Sequence, residues 1–304
     1  MPKYEVTHDG TNEALNPEGQ NAKVSFDSDG PRKQNDSRTK RIVIIVLGVL
    51  FCILVALLCA YFIYRVFFAH VPHWQQDDFY IESIPGLRYG PPDKDGEDTL
   101  IHFSISPDRY LGWTKVMEEA TRAYLKPSNN SVECDFEKPP KPGKVCIQDI
   151  SKWFPCVKEN YFGYHKATPC VFLRFNKIAN WTPQFYSNVT ELPPDMPETL
   201  KLVISRQYKI YRSLMKTIWV SCSGETPMDV EHIGPVHYIP WQGFPGYFFP
   251  YNNTPNYLSP MVAVSFERPM VGVAIGVECR LWAPNIEYDQ EKGVGFVKFQ
   301  LMID

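Results

Sequence analysis

Eight cysteines, seven histidines and a set of Asn-x-Ser/Thr triplets are the residues of this 304-residue chain whose types could do chemistry. Cys134, Cys146, Cys156, Cys170, Cys222 and Cys279 form an even set with no Cys-x-x-Cys pair. That pattern predicts disulfides in an oxidising compartment and not a zinc site, and sequence alone does not choose the pairing. The histidines are scattered, and the one close pair, His70 and His73, reads as interfacial polar residues beside an apolar run. There is no Gly-x-Ser-x-Gly, no His-Glu-x-x-His and no phosphate-cradling glycine loop. Glu118 and Glu119 are adjacent carboxylates on what reads as a solvated helix face. The expectation is therefore no catalytic residue, no metal ligand and no cofactor. The remaining chemistry is modification: Asn129, Asn180, Asn188 and Asn252 head glycosylation triplets, as does Asn35, whereas Thr254-Pro255 spoils the one at Asn253.

Which of these residues can be modified depends on a membrane. Residues 42–64 carry no charge, and as a helix they would be about 34 Å long, enough to cross a hydrocarbon core of about 30 Å. A signal peptide would begin nearer residue 1 and be shorter. A core helix would show a polar face, and none is visible. Arg32, Lys33, Arg38, Lys40 and Arg41 precede the run, whereas Arg65 is followed by Asp77, Asp78 and Glu82. Positive flanks stay cytoplasmic, which predicts a single-pass type II protein with everything beyond about His70 outside. Within the run, Gly48, Cys52, Ala56 and Ala60 recur every four residues and offer a face for a partner helix, with lipid around the rest. Tyr61, Phe62, Tyr64, Phe67 and Phe68 suit the outer headgroup layer.

Four regions follow: a polar, unstructured tail over 1–41, the transmembrane helix over 42–68, a proline-interrupted stalk over 69–99 and a globular domain over 100–304. The net charge of -3 gives no sign of nucleic-acid binding. Twenty-seven prolines and 14% aromatic residues suit a domain rich in strands and loops. One clear helix is expected from Pro107 to Leu125, with Asp108 near its start, a stripe of Leu111, Val116, Ala120, Ala123 and Tyr124, and a Glu118 to Arg122 pair. Beyond Cys170 the period is two: Val171, Leu173 and Phe175, then Val262, Val264 and Phe266, the β-branched run 271–282, and Val297, Phe299, Leu301 and Ile303. These strands predict an antiparallel sandwich.

Several stretches give the chain a family likeness. They are Pro85-Gly86-Leu87, the segment Phe162-Gly163-Tyr164-His165-Lys166-Ala167-Thr168-Pro169-Cys170, and Leu173-Arg174-Phe175-Asn176-Lys177. Further on come Val220-Ser221-Cys222-Ser223-Gly224, Phe248-Phe249-Pro250-Tyr251, Tyr257-Leu258-Ser259-Pro260-Met261-Val262-Ala263-Val264-Ser265-Phe266, Glu278-Cys279 and Asn285-Ile286-Glu287-Tyr288. In these the chain resembles the β subunits of Na,K-ATPase and H,K-ATPase pumps, over nearly the whole region after the apolar run. The resemblance implies a type II, mostly β, immunoglobulin-like ectodomain with neighbouring cysteines joined as Cys134–Cys146, Cys156–Cys170 and Cys222–Cys279. It implies a non-catalytic role: binding the ion-pumping α subunit, aiding its folding and delivery to the plasma membrane, and modulating cation affinity. It implies an α contact through Phe248, Phe249, Pro250 and Tyr251, and large aromatics beside a proline are good anchors. The chain departs from the family pattern in a polar tail, an aliphatic inner half of the span and a short 134–146 loop. Those departures keep open a second function, a pump-independent glycoprotein of adhesion or junctions.

The orientation is testable by sugar. Endoglycosidase should lower the mass through Asn129, Asn180, Asn188 and Asn252, with Asn35 bare; sugar on Asn35 would reverse the topology.

Overall fold

A computed structural model describes residues 34–67, 83–91 and 99–304. The readings for 1–33, 68–82 and 92–98, including His70 and His73, lie outside the described residues. The chain divides into two units, Met1–Ile63 and Tyr64–Asp304.

The described residues of the first unit all lie in one helix, α1 (Gln34–Phe67), whose last turn continues to Phe67. Its span-length part, Lys40–Arg65, has 26 residues, none of them buried within the chain. Apolar side chains all round and a backbone satisfied from within suit it to lipid. It begins eight residues before Ile42, inside the segment read as an unstructured tail. No proline or glycine interrupts Gln34 to Leu47, so once the apolar part nucleates a helix, the polar turns before it propagate the same ladder.

The described residues of the second unit form eleven strands: β1 (Leu87–Gly90), β2 (Leu100–Phe103), β3 (Ser131–Val132), β4 (Val145–Cys146), β5 (Cys170–Phe175), β6 (Thr217–Gly224), β7 (Val236–Ile239), β8 (Gly243–Pro245), β9 (Met261–Phe266), β10 (Ala274–Trp282) and β11 (Phe296–Ile303). One sheet has the order β1-β5-β9-β7 and is antiparallel throughout. The other has the order β2-β11-β10-β6-β8, with β2 parallel to β11. The sandwich is thus antiparallel except at that pair and at the small β3–β4 ribbon. It also starts at Leu87, within the segment read as a stalk. Tyr89 stacks on Phe299 at 4.9 Å and Phe266 meets the same ring at 6.1 Å, so the two sheets face each other across one core.

Beyond the one helix read from the sequence, the described residues of this unit hold two more α-helices. The expected helix is α2 (Pro107–Thr121), and it buries Thr114, Met117, Ala120 and Thr121. Leu111 stays exposed and Glu118 pairs with Lys158 of a neighbouring turn, while Arg122 takes Glu119. The indole N–H of Trp113 on α2 donates to the His102 carbonyl at 2.8 Å, which occupies the open edge of β2. The second helix, α3 (Glu198–Ile210), lays Leu200 and Ile204 on Trp219 and Trp282 at the outer face of the five-stranded sheet. Arg280 pins this overlay: its guanidinium lies 3.9 Å from the Trp282 ring and 4.1 Å from that of Tyr288, and it pairs with Asp195 at 2.8 Å. The third, α4 (Pro227–His232), starts with a capping box between Thr226 and Asp229, and Asp229 also accepts the Gly276 N–H of β10 at 3.0 Å. The strand expected over 271–282 begins only at Ala274, because Gly272 at φ +79 makes a turn.

Disulfides join Cys134 to Cys146, Cys156 to Cys170 and Cys222 to Cys279. The last links directly opposed residues of β6 and β10, so it lies within one sheet. Antibody domains bridge their two sheets instead. Removing Cys222 and Cys279 together should cost more stability than removing Cys134 and Cys146. Their separations are 57 and 12 residues. The chain-entropy account gives about 4 against about 3 kcal/mol. Denaturant midpoints of the full chain with both pairs changed to serine check this, and the reverse order would refute it.

Candidate functional site

The described residues hold no group of three or more His, Cys, Asp or Glu placed to bind a metal ion. The described histidines stand apart from one another. His102 reaches Asp304 at 2.6 Å and His237 reaches Glu267 at 2.9 Å, both at the surface. His165 lies edge-on to Tyr161 at 5.2 Å, and burial together with the Lys166 charge holds its pKa below the usual imidazole value. The candidate sites read from the sequence are surfaces and modification points.

The aromatic stretch after β8 is set by the sandwich below it. Phe248 is only 9% exposed and belongs to the core. Phe249 is half-buried, edge-on to Phe175 at 5.0 Å and to Trp181 at 5.8 Å. The backbone then ties back, with the Asn180 N–H donating to the Tyr251 carbonyl at 2.9 Å. Tyr251 leans on Tyr257 at 4.7 Å, with the Lys177 ammonium 5.4 Å from its ring centre. Of the four residues read as a partner contact, Pro250 is exposed, Tyr251 is half-buried, and the two phenylalanines mainly anchor the segment. The exposed small-residue face of α1 carries Gly48, Cys52, Ala56 and Ala60, and a methyl group added at Gly48 would meet nothing within 4 Å. Cys52 and Cys59 are free thiols.

Asn129, Asn180 and Asn252 are exposed, whereas Asn188 is half-buried and its side chain accepts the Thr190 N–H at 3.4 Å. Asn35 falls in the first turn of α1, and its side chain lies outside the described residues. Between the proline-rich 139–144 loop and the segment 247–257 lies a cleft of about 530 Å³, walled in part by Asn252. Asn130 bridges those walls: its amide donates to the Gly143 carbonyl at 3.4 Å and to the Pro255 carbonyl at 2.8 Å, and Asn256 donates to its carbonyl oxygen at 3.0 Å.

Sequence reasoning missed a second cavity, of about 300 Å³, walled by Trp153, Pro240, Trp241, Pro245, Tyr247 and Phe248. Burial, and then the negative charge of Asp135, push the Tyr247 hydroxyl up to about 12. Asp149 at the rim is held below the usual carboxylate range by Lys152, 2.8 Å away, and by Ser151. The signal was the Pro-Trp-Gln-Gly-Phe-Pro run over 240–245, whose tryptophan interrupts a turn-like sequence.

The segment Tyr161, Phe162 and Gly163 adopts left-handed backbone at φ 48, 50 and 81. A side chain at Gly163 would meet the Thr168 carbonyl oxygen at 2.0 Å, so glycine is required there. The turn turns Phe162 back onto Phe172 at 6.0 Å, where it covers the outer face of β5.

The sequence profile described as "Sodium / potassium ATPase beta chain" matches residues 36–299. The chain is similar to "Sodium/potassium-transporting ATPase subunit beta-2" of Drosophila melanogaster, 42% identical over 81% of this chain and 79% of that one. It is similar to "Sodium/potassium-transporting ATPase subunit beta-1" of the same organism, 35% identical over 77% and 75% of the two chains. "Sodium/potassium-transporting ATPase subunit beta-2" of Homo sapiens shares 24% identity over 77% of this chain and 76% of its own.

Because Phe249 packs on the core, Phe249→Ala should lower stability by about 2–3 kcal/mol. Thermal unfolding of the full chain measures this, and an unchanged midpoint would show that the ring is a free anchor.

Proposed function

The chain belongs to the sodium/potassium ATPase beta-chain family, and from that premise we propose that it is the non-catalytic partner of a cation-pumping α subunit. The observation that carries this reading is a family match running from α1 through nearly the whole sandwich. In this role the chain assists folding and assembly of the α subunit, accompanies it to the plasma membrane and modulates cation transport. Its relatives are named for sodium and potassium, which favours a Na,K pump.

Orientation follows the flanking charge. Arg38, Lys40 and Arg41 lie on the cytoplasmic side of the span, and the disulfide-bonded sandwich lies outside, where Asn129, Asn180, Asn188 and Asn252 can accept sugar. The domain boundaries move accordingly: a helix from Gln34 that spans the bilayer over Lys40–Arg65, and an extracellular sandwich that begins at Leu87.

Two surfaces can meet the α subunit. The Gly48, Cys52, Ala56 and Ala60 face lets a partner helix approach, but lipid is as apolar as the partner, so the contact gains no hydrophobic drive. Outside the bilayer, closing on Pro250 and Tyr251 removes apolar surface from water at about 25 cal/mol per Å². The extracellular contact is the stronger of the two. Phe248 and Phe249 support it from beneath.

Tyr251→Ala should therefore cut co-purification of the α subunit by more than about tenfold. Gly48→Leu should reduce it less. Native disulfides and mature glycans identify folded protein in both cases. Loss of the partner with folded Gly48→Leu, and its retention with Tyr251→Ala, would move the main contact into the membrane.

A further inference from the structure

The cleft of about 530 Å³ between the 139–144 loop and the 247–257 segment has a wall residue that can carry its own occupant. Asn252, Asn253 and Thr254 all border it, so a complete glycosylation triplet forms part of the wall. Asn129, Asn180 and Asn188 do not border it. The Asn252 side chain is exposed and makes no hydrogen bond among the described residues, whereas that of Asn188 is engaged by the Thr190 N–H.

The walls are fixed before anything enters. Asn130 bridges them through Gly143 on one side and Pro255 on the other. Cys134–Cys146 closes the proline-rich loop. Across the cleft, Tyr247 is held edge-on by Phe136 at 5.3 Å, and Tyr257 leans on Tyr251 at 4.7 Å. Walls set in advance lower the ordering cost of binding. The volume falls within the range of small-ligand sites, roughly 300 to 1,000 Å³.

The lining suits a neutral sugar. An N-acetylglucosamine ring has an apolar face, which fits beside tyrosine rings and prolines, and a rim of hydroxyl and acetyl oxygens. Lys141 and Lys144, both exposed wall residues, offer ammonium donors to those oxygens, and no carboxylate borders the cleft. A free sugar would hold weakly to so open a cleft. Attachment at Asn252 makes the contact intramolecular, so weak contacts suffice.

We propose that this cleft is the seat of the chain's own N-glycan: the first N-acetylglucosamine on Asn252 lies between the 139–144 loop and the 247–257 segment and packs as part of the fold. The proposal rests on the outward orientation of the sandwich and not on the pump assignment. The seat shares Pro250 with the proposed partner contact but not Tyr251.

The test uses the full-length glycoprotein in mild detergent. Peptide-N-glycosidase acts on the native protein in heavy-oxygen water, and peptide mass spectrometry follows release site by site. Release at Asn252 is expected to be at least tenfold slower than at Asn129 and Asn180, with the difference gone after denaturation. Thr254→Ala removes that sugar and should lower the thermal midpoint by about 2–4 °C, the shift that a modest packing contribution makes in a domain of this size. Thr254→Ser keeps the triplet and should restore the midpoint, and Thr182→Ala, which removes the sugar on Asn180, should leave it unchanged. Equal native release at the three sites, or equal midpoints for Thr254→Ala and Thr254→Ser, would overturn the proposal. So would a bare Asn252 on the folded chain. Sugar on Asn129 or Asn180 of the same molecules would then show that the orientation holds and the seat alone fails, whereas sugar on Asn35 alone would show that the orientation fails.

Discussion

Both faces of the central strands β5 and β9 must be covered, and the rest of the extramembrane unit is arranged to do so. Every residue of these two strands is buried. The five-stranded sheet closes one face through Phe299 and its neighbours. The opposite face of β5 cannot be left to water, because Phe172 points there. Trp153 and Phe162 cover it, and Phe162 is set there by the left-handed turn at Tyr161, Phe162 and Gly163. Cys156–Cys170 ties that covering segment to the first residue of β5. The family-like stretch from Phe162 to Cys170 thus carries a packing requirement of the sheet.

The same logic governs the far side. β6 is buried on both faces because α3 lies on its outer surface, and Arg280 fixes that layer through aromatic stacking and Asp195. Open strand edges are closed by side chains. Trp113 caps β2, while Gln242 exchanges hydrogen bonds with Val220 and the Tyr238 hydroxyl accepts the Cys222 N–H at 2.6 Å. A secreted-type domain with its edges so occupied is protected from strand-to-strand association. The apolar groups that remain accessible include Pro250, Tyr251 and Trp241, all outside the named strands.

Much of this was legible in the sequence, for identifiable reasons. The apolar helix and the strands around Val171, Val262 and Val297 announce themselves by period and composition. What stayed hidden depends on contacts between distant residues. The helix at Glu198 has only Leu200 and Ile204 fully buried, and their role appears once Trp219 and Trp282 are placed beneath them. β1 was hidden by the prolines around it, and its pairing with β5 needs a partner more than 80 residues away. The aromatic stretch at Phe248 was legible as aromatic but not in its division of labour: two rings inward, one proline and one tyrosine edge outward. The cavity beside Trp241 draws on three separate segments, 147–153, 240–248 and Met261, and only the Pro-Trp-Gln-Gly-Phe-Pro run left a local signal of it.

The central claim, that this chain is the β partner of a P-type pump, is tested most directly by native mass spectrometry of the protein isolated from its own membranes in mild detergent. The account predicts one catalytic ATPase chain for each copy of this glycosylated chain. Recovery of the folded glycoprotein alone, or only with copies of itself, would contradict it.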